Sequence, residues 1–278
     1  MRRVATFVLA LAVLAAGGGP IRAHVGVEEL GHALDAEVAR HPGDGELHLQ
    51  RARAHFLARE WAAALADLDA AARHGVARDV VGTTRGQVLL EAGRPRAART
   101  EFDRVLRRSP LAWGTVFERG RAWLALGNAE RAADDFGRAI AHLDTPRPEQ
   151  VIARRDALVS LGRRAAAVLA LDEGMARIGH VASLELAAID LDVELGRHAR
   201  ALQRIEGLLA ATPKNPAWVV RRAELLERTG RAPEARAEYA RALTMIEARP
   251  ASRNGHAFEE LRHRIETALG KSAREEKP

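Results

Sequence analysis

A motif that returns about every 34 residues constrains the fold of this chain more than any other feature. Five short Gly-polar turns, each following an apolar segment and preceding an alanine-rich one, are spaced by 34, 35, 34 and 34 residues. The turn glycines are Gly93, Gly127, Gly162, Gly196 and Gly230. One period before Gly93 lies Arg59, which predicts a sixth, earlier repeat without the glycine. Periods of this length are typical of stacked supersecondary units.

Three further columns recur when the six repeats are aligned on the turn. Alanine stands five residues after it, at Ala64, Ala98, Ala132, Ala167, Ala201 and Ala235. A large apolar residue follows four positions later, at Leu68, Phe102, Phe136, Leu171, Ile205 and Tyr239. The first three repeats carry a small residue seven before the turn, at Ala52, Gly86 and Gly120. Small residues on facing helices allow a close crossing, and a spacing of four places the alanine and apolar columns on one helical face. The pattern predicts helical hairpins that stack on one another.

These residues resemble the tetratricopeptide repeat (TPR) family. The resemblance rests on Gly86, Gly93, Ala98 and Phe102, and on the equivalent Gly120, Gly127, Ala132 and Phe136. It implies an all-α, right-handed superhelical solenoid of about six helix–turn–helix units. We place the array at residues 45–247. Its units lie at about residues 45–78, 79–112, 113–147, 148–181, 182–215 and 216–249. Capping helices are expected within residues 24–44 and 250–278, the latter with a frayed tail.

Some positions depart from the family pattern. Arg59 replaces the turn glycine in the first repeat, and Arg155 and Ile189 replace the small residue in the fourth and fifth. Asp192 of the fifth repeat stands where a large residue is usual. The extra residue in the 35-residue spacing falls near Thr145, where we expect a kink between the first three repeats and the last three.

The first 23 residues have the order of a secretory signal peptide. Arg2 and Arg3 precede an apolar run from Val4 to Ala16, which is too short to span a bilayer comfortably, and the segment ends in small residues. We expect cleavage after Ala23, with a cut after Gly18, an uncleaved anchor or a buried helix as alternatives. The sequence therefore predicts an exported protein, periplasmic or secreted, in a bacterium.

Composition excludes several function classes. The chain has no cysteine, which rules out disulfides, thiol catalysis and cysteine-bound metal. Its formal net charge of +6 falls to +3 without the three arginines of the predicted signal peptide, and aromatic residues make up 4%, so nucleic acid is not an expected partner. No phosphate loop, nucleophile elbow, zinc motif or calcium loop is present. We expect no cofactor, no metal site and no enzymatic activity.

The histidines allow one metal hypothesis, which we disfavour. His41, His48 and His55 recur every seven residues, which on a helix separates them by about 10 Å along the axis, too far for two of them to chelate one metal. His48 and His55 also fall where the family has packing aromatics, so we interpret them as core or interface residues. Cleavage after Ala23 would leave His24 at the N-terminus, which keeps a metal carrier or enzyme as an alternative to be tested.

The resemblance implies a peptide-binding groove lined by the first helix of each repeat. The residue after the small position, which we call the groove column, is Arg53, Gln87, Arg121, Asp156, Asp190 and Glu224. Its cationic and amide members precede its acidic ones, so we expect a groove of opposite polarity at its two ends. Four residues earlier, apolar pockets are expected from a column that reads Leu49, Thr83, Phe117, Ile152, Leu186 and Val220. Leu49 and Phe117 replace the lysines of the family's carboxylate-clamp members, which disfavours that mode. The alternative is that the charges only hydrate an open face.

Two functions remain open at this point. The first is a scaffold or adaptor that binds a protein or extended peptide in the groove without catalysis. The second is a self-assembling envelope protein whose end helices form a homo-oligomer. The residues favouring the second are an apolar stripe at Phe258, Leu261, Ile265 and Leu269.

Overall fold

The computed structural model describes residues 20–248 and 256–275, and all of the regular structure within them is α-helical. The helices are α1 (Pro20–Arg40), α2 (Gly45–Leu57), α3 (Trp61–Arg73), α4 (Arg78–Glu91), α5 (Pro95–Arg108), α6 (Trp113–Ala125), α7 (Ala129–His142), α8 (Pro148–Ser160), α9 (Arg164–Ile178), α10 (Ala182–Glu194), α11 (His198–Ala211), α12 (Pro216–Arg228), α13 (Ala232–Glu247) and α14 (His256–Glu275). Six hairpins run from α2/α3 to α12/α13. The all-α repeat fold predicted from the sequence is confirmed. Residues 1–19, most of the predicted signal peptide, lie outside the described residues.

Contacts divide the described residues into two compact blocks, with the boundary between Asp144 and Thr145. The N-terminal block contains α1–α7 and the first three hairpins, and the C-terminal block contains α8–α14 and the last three. The boundary falls in the segment where the sequence places the extra residue. The kink expected there stays a prediction, and each block is described by itself.

The turn inside each hairpin has a left-handed residue. The five turn glycines have φ between 69° and 77°. Arg59, which replaces glycine in the first repeat, has φ 61°, so it adopts the same conformation despite its side chain. A left-handed residue after the last helical turn lets backbone N–H groups bond back to the helix, as Glu60 N does to His55 O at 2.8 Å. The first hairpin therefore has the same turn geometry without the glycine signal.

The small residues before the turn permit close helix crossings. A Cβ atom added to Gly86 would lie 2.2 Å from Cε1 of Phe102, and one added to Gly120 would lie 2.7 Å from Cδ1 of Phe136. Both phenylalanines are fully buried. The alanines five residues after the turn are also buried in all six repeats, at 0–2% exposure. The second and third hairpins therefore close around a glycine on the first helix and a phenylalanine on the second.

We expect Gly86→Ala to destabilise the protein by about 1–3 kcal/mol, because the new methyl group overpacks against the buried Phe102 ring. Helix propensity alone would favour alanine by about 1 kcal/mol. Gly31 in α1 provides the control, since a Cβ there meets no atom within 4 Å and Gly31→Ala should stabilise. Urea unfolding of the three proteins measures both effects, and equal stabilisation by both substitutions would contradict the packing argument.

The first and last helices cover the neighbouring hairpins. Leu30 and Leu34 of α1 pack against Ala54 of α2. At the other end, Leu261 and Ile265 of α14 are 8% and 0% exposed in a core formed with α12 and α13. The apolar stripe of α14 is thus buried largely within its own chain.

Candidate functional site

In the N-terminal block the groove column contains two arginines, one exposed and one paired with acidic residues outside the column. Arg53 is exposed and has no hydrogen bond or ion pair to the described residues. Arg121 donates to Glu118 at 2.9 Å and to Glu91 at 2.5 Å, and the Nε2 of Gln87 donates to Glu118 at 3.1 Å. Burial lowers the pKa of Arg121, but the attraction of Glu118 and the hydrogen bonds to both carboxylates outweigh it and raise that pKa. Acidic residues outside the column thus offset the charge of Arg121, and the expected difference in polarity between the two ends of the groove stays a prediction.

The positions expected to form apolar pockets are mixed in their exposure. Leu49 and Phe117 are 2% and 8% exposed, and Val220 is 1% exposed, so these side chains fill the core instead of opening pockets. Thr83 shares a hydrogen bond with the Thr115 hydroxyl at 2.8 Å. Ile152 and Leu186 of the C-terminal block remain partly exposed.

The acidic half of the groove column is also paired. Asp190 forms an ion pair with Arg221, which lies 3.4 Å from Glu224. The other oxygen of Glu224 pairs with Arg264 of α14. Asp156 is exposed and contacts its sequence neighbour Arg155 at 3.1 Å. Among the six column members, Arg53 and Asp156 are the two that hold no neighbouring helix in the described part of the chain.

A set of arginines that the sequence analysis missed ties the helices together. Arginine occurs eight residues before the turn in five of the six repeats. We call this set the arginine ladder: Arg51, Arg85, Arg119, Arg154 and Arg222. Each of them pairs with an acidic residue of a second helix. The sequence contains a signal for this ladder, because four of the five arginines pair with an acidic residue 16 positions away.

Two members of the ladder have the same three-point geometry. Arg119 donates through Nε and Nη2 to Asp135 at 2.8 and 2.7 Å, and through Nη1 to Asp103 of the preceding hairpin at 3.2 Å. Arg51 repeats these contacts with Asp67 at 2.8 and 2.7 Å and with Asp35 of α1 at 3.1 Å. A guanidinium suits this role because its planar fork binds one carboxylate with two donors and keeps another free. Each arginine thus joins its own hairpin to the preceding helix.

Histidines complete the first of these clusters. His48, which is 8% exposed, contacts the Asp67 carboxylate through Nδ1 and the Pro42 carbonyl through Nε2, both at 3.1 Å. His55 lies 2.5 Å from Glu60 and 3.5 Å from Asp67. Burial raises the pKa of Asp67, but hydrogen bonds from Arg51 and His48 outweigh burial and lower it. Both histidines therefore have structural partners here.

The fifth repeat reverses the ladder. Ala188 occupies the ladder position, and the arginine lies on the second helix as Arg204. Its Nε donates to Asp192 at 2.9 Å, Nη1 to Glu185 at 3.1 Å and Nη2 to Asp172 at 2.6 Å. Burial lowers the pKa of Arg204, and the hydrogen bonds to Asp172 and Asp192 raise it by more. Asp192, which stands where a large residue is usual, is 0% exposed and is accommodated by this guanidinium.

Beside Arg204 lies a cleft of about 700 Å³, which we call the Trp218 cleft. It is contained in the C-terminal block, and α9, α10, α11 and the start of α12 form its walls. Its lining includes Asp172, His180, Glu185, Arg200, Gln203, Arg204, Gly207, Leu208, Ala211, Asn215 and Trp218. Ile189 occupies the small position of this hairpin and is fully buried. Its side chain needs room between α10 and α11, so these two helices must lie further apart than they would around a glycine. The sequence marked the fifth repeat as irregular but did not predict a cleft.

The described residues contain neither a metal-binding cluster nor a membrane-spanning helix. Within 20–248 and 256–275, no group of three or more histidine, aspartate or glutamate side chains is placed to hold a metal ion. Over the same ranges, none of the helices combines the length and apolar character needed to cross a membrane.

Comparisons with known proteins address the fold. A tetratricopeptide repeat family model matches residues 83–148 and 186–253. The C-terminal part of a TPR repeat-containing protein from Cytophaga hutchinsonii is 13% identical, with 80% of this chain and 92% of that chain covered and a TM-score of 0.61. A tetratricopeptide repeat protein from Parabacteroides merdae is 16% identical, with 87% and 93% covered and a TM-score of 0.49. A TPR protein from Thermus thermophilus is 25% identical, with 69% and 98% covered and a TM-score of 0.38. A comparison with curated proteins gave no significant match. The repeat pattern, the six hairpins and the family model together identify tetratricopeptide repeats in this chain.

Proposed function

We propose that this protein is an exported, non-catalytic scaffold that binds a protein or an extended peptide. Stacked TPR hairpins offer a large helical surface but no chemistry of their own, so function depends on the exposed side chains. The observation that carries the proposal is how the charged groups are used. Interior charges hold helices together, while Arg53 and Asp156 of the groove column are exposed and hold none.

The buried carboxylates support a role without catalysis. Four carboxylates are buried in the described residues: Asp67, Asp135, Glu185 and Asp192. All four accept hydrogen bonds from ladder arginines or from Arg204. A general acid or base must exchange a proton with a substrate, whereas each of these four carboxylates is paired with a permanent cation.

Self-assembly through the end helix is the second candidate, and the packing of α14 argues against it. An oligomer built on the apolar stripe needs those side chains exposed on the surface. Leu261 and Ile265 are instead buried against the sixth hairpin, and Phe258 and Leu269 pack beside them. The scaffold proposal therefore has the better support.

Export is part of the proposal and rests on the sequence of residues 1–23. A basic start, a short apolar run and a terminal small residue are the features that signal peptidases recognise. N-terminal sequencing of the protein recovered from the envelope should begin at His24. Recovery of the full-length chain from the cytoplasm would contradict export without affecting the scaffold function.

A crosslinked pull-down from an envelope extract tests the binding function. Arg53→Glu and Asp156→Arg are the variants of choice, because both residues are exposed and neither joins two helices. Arg121 and Asp190 are unsuitable, since their reversal would break ion pairs between hairpins. We expect a partner captured by the wild type to be lost from at least one variant with helicity unchanged.

Matched charge reversals provide the control. Arg73 in α3 and Glu206 in α11 are also exposed and have no hydrogen bond or ion pair to the rest of the described chain. Arg73→Glu and Glu206→Arg should retain the partner. Capture by all four variants alike would rule out the groove column as the binding surface, and capture of no protein but the chain itself would overturn the scaffold proposal.

A further inference from the structure

The Trp218 cleft has the apolar wall of a ligand site. The Trp218 indole is fixed by a hydrogen bond from its Nε1 to the Thr212 hydroxyl at 2.9 Å. Leu208 and Ala211 of α11 continue the apolar surface. A fixed aromatic side chain offers a large contact area with little loss of conformational entropy on binding. A volume of about 700 Å³ lies within the range of ligand pockets and accommodates a large side chain with its adjoining backbone.

Gly207 keeps this cleft open. It lies inside α11, where glycine disfavours the helix by about 1 kcal/mol relative to alanine. At Gly86 and Gly120 a close helix crossing explains the glycine, but a Cβ added to Gly207 would meet no atom within 4 Å. The space it would occupy belongs to the cleft. Packing within the chain therefore does not account for this glycine, and a larger side chain would fill the site.

The polar lining keeps unpaired hydrogen-bond donors, whereas its two carboxylates already accept hydrogen bonds from within the chain. Asp172 accepts from Arg200 and Arg204, each at 2.6 Å. Glu185 accepts from Arg204 at 3.1 Å and lies 2.6 Å from the His180 ring. Among the described residues, the Gln203 amide and the Nη1 of Arg200 have no partner. A ligand that complements the lining supplies hydrogen-bond acceptors.

The same residues also limit the charge of the ligand. The two carboxylates and the two guanidinium groups of the lining cancel, so the cleft has no net charge to attract an ion. Peptide carbonyl groups are neutral acceptors and occur at every residue of an extended chain. An uncharged peptide segment thus fits both the donor surplus and the charge balance.

We infer that the Trp218 cleft binds an uncharged segment of a partner polypeptide. A large aliphatic or aromatic side chain of that segment packs over Gly207 against Trp218. The backbone carbonyls of the segment accept hydrogen bonds from Gln203 and Arg200. This inference rests on the proposed scaffold function. It assigns binding to a face formed mainly by the second helix of the fifth repeat, away from the groove column.

Random dodecapeptides displayed on phage are the probe, panned on the immobilised purified protein. Enriched peptides are then synthesised, and their dissociation constants are measured by fluorescence polarisation. We expect enrichment of uncharged segments with a large apolar residue and a loss of affinity of at least about tenfold in Gly207→Leu, because the leucine occupies the cleft. Raising the salt from low to high concentration should change the affinity by less than about threefold, since no net charge is involved.

Gly31→Leu is the matched control, because it introduces the same side chain at a helical glycine with open space in the other block. It should bind the peptides as the wild type does. Peptides that bind Gly207→Leu unimpaired but fail on Arg53→Glu or Asp156→Arg would overturn the cleft and leave the scaffold function standing. Enrichment of acidic or basic peptides with strong salt dependence would also overturn the cleft assignment. Enrichment of no peptide on the wild type would count against both proposals.

Discussion

Arg119→Met is expected to lower the free energy of unfolding by about 3–5 kcal/mol, because it leaves a buried carboxylate without its cation. The Asp135 side chain is 6% exposed and receives both of its hydrogen bonds to the described residues from Arg119. Methionine preserves most of the apolar stem and removes the charge, so the loss reports mainly the unpaired carboxylate. Urea unfolding monitored by circular dichroism measures the change.

The double variant Arg119→Met/Asp135→Leu should recover most of that loss. When both partners of a buried pair become apolar and well packed, no uncompensated charge remains and stability is often unchanged or higher. Asp103, which contacts Arg119 at 3.2 Å, is 30% exposed and can be solvated instead. The four proteins of this cycle separate the energy of the pair from that of each side chain.

Arg85→Met is the matched control within the ladder. Arg85 occupies the same position one repeat earlier, but its partner Asp69 is 54% exposed and accepts a single hydrogen bond at 2.6 Å. Exposed pairs contribute about 0–1 kcal/mol, so this variant should lose little. A loss equal to that of Arg119→Met would show that the ladder acts through its apolar stems and not through charge.

The sequence predicted the fold well because hairpin closure depends on local residue size. Gly93 and its equivalents provide the positive φ of the turn, and Gly86 and Gly120 provide the close crossing, so each signal lies within one repeat. Arg59 shows that the turn can form without the glycine that predicts it, since the stacked hairpins impose a left-handed conformation on an arginine. The repeat pattern therefore predicted the backbone of each hairpin, because that backbone depends little on residues outside the repeat.

The candidate sites were harder to predict because they depend on partners from several helices. The groove column could be read from the sequence, but the ion pairs of its members could not. Glu91, which pairs with Arg121, lies 30 residues away on another helix. The arginine ladder could have been found from its 16-residue spacing, since that spacing recurs. The Trp218 cleft could not, because Asp172, Gly207 and Trp218 come from three helices and each is unremarkable alone.

Arg204→Met should be at least as destabilising as Arg119→Met at neutral pH, about 4–5 kcal/mol, because one guanidinium serves three carboxylates. Asp172 retains Arg200 at 2.6 Å, whereas Asp192 keeps only the longer ion pairs with Arg197 and Arg200 at 3.8 and 3.7 Å. Glu185 keeps His180 at 2.6 Å. The loss therefore falls mainly on Asp192, whose side chain is 0% exposed. At pH 7 we expect the C-terminal block of this variant to unfold at a lower urea concentration than the N-terminal block.

The pH dependence of this variant distinguishes lost charge pairing from lost packing. A buried carboxylate that loses its hydrogen-bonded guanidinium takes up a proton more readily than one in the unfolded chain, so the folded variant binds more protons and its stability rises as the pH falls. Urea midpoints at pH 7 and pH 5 should therefore converge toward the wild type at the lower pH. Arg204→Lys keeps a charge but not the three-point fork, so it should lose less at pH 7 and gain less on acidification. An equal loss for Arg204→Met at both pH values would mean that the arginine stem, and not its charge, stabilises the fifth repeat.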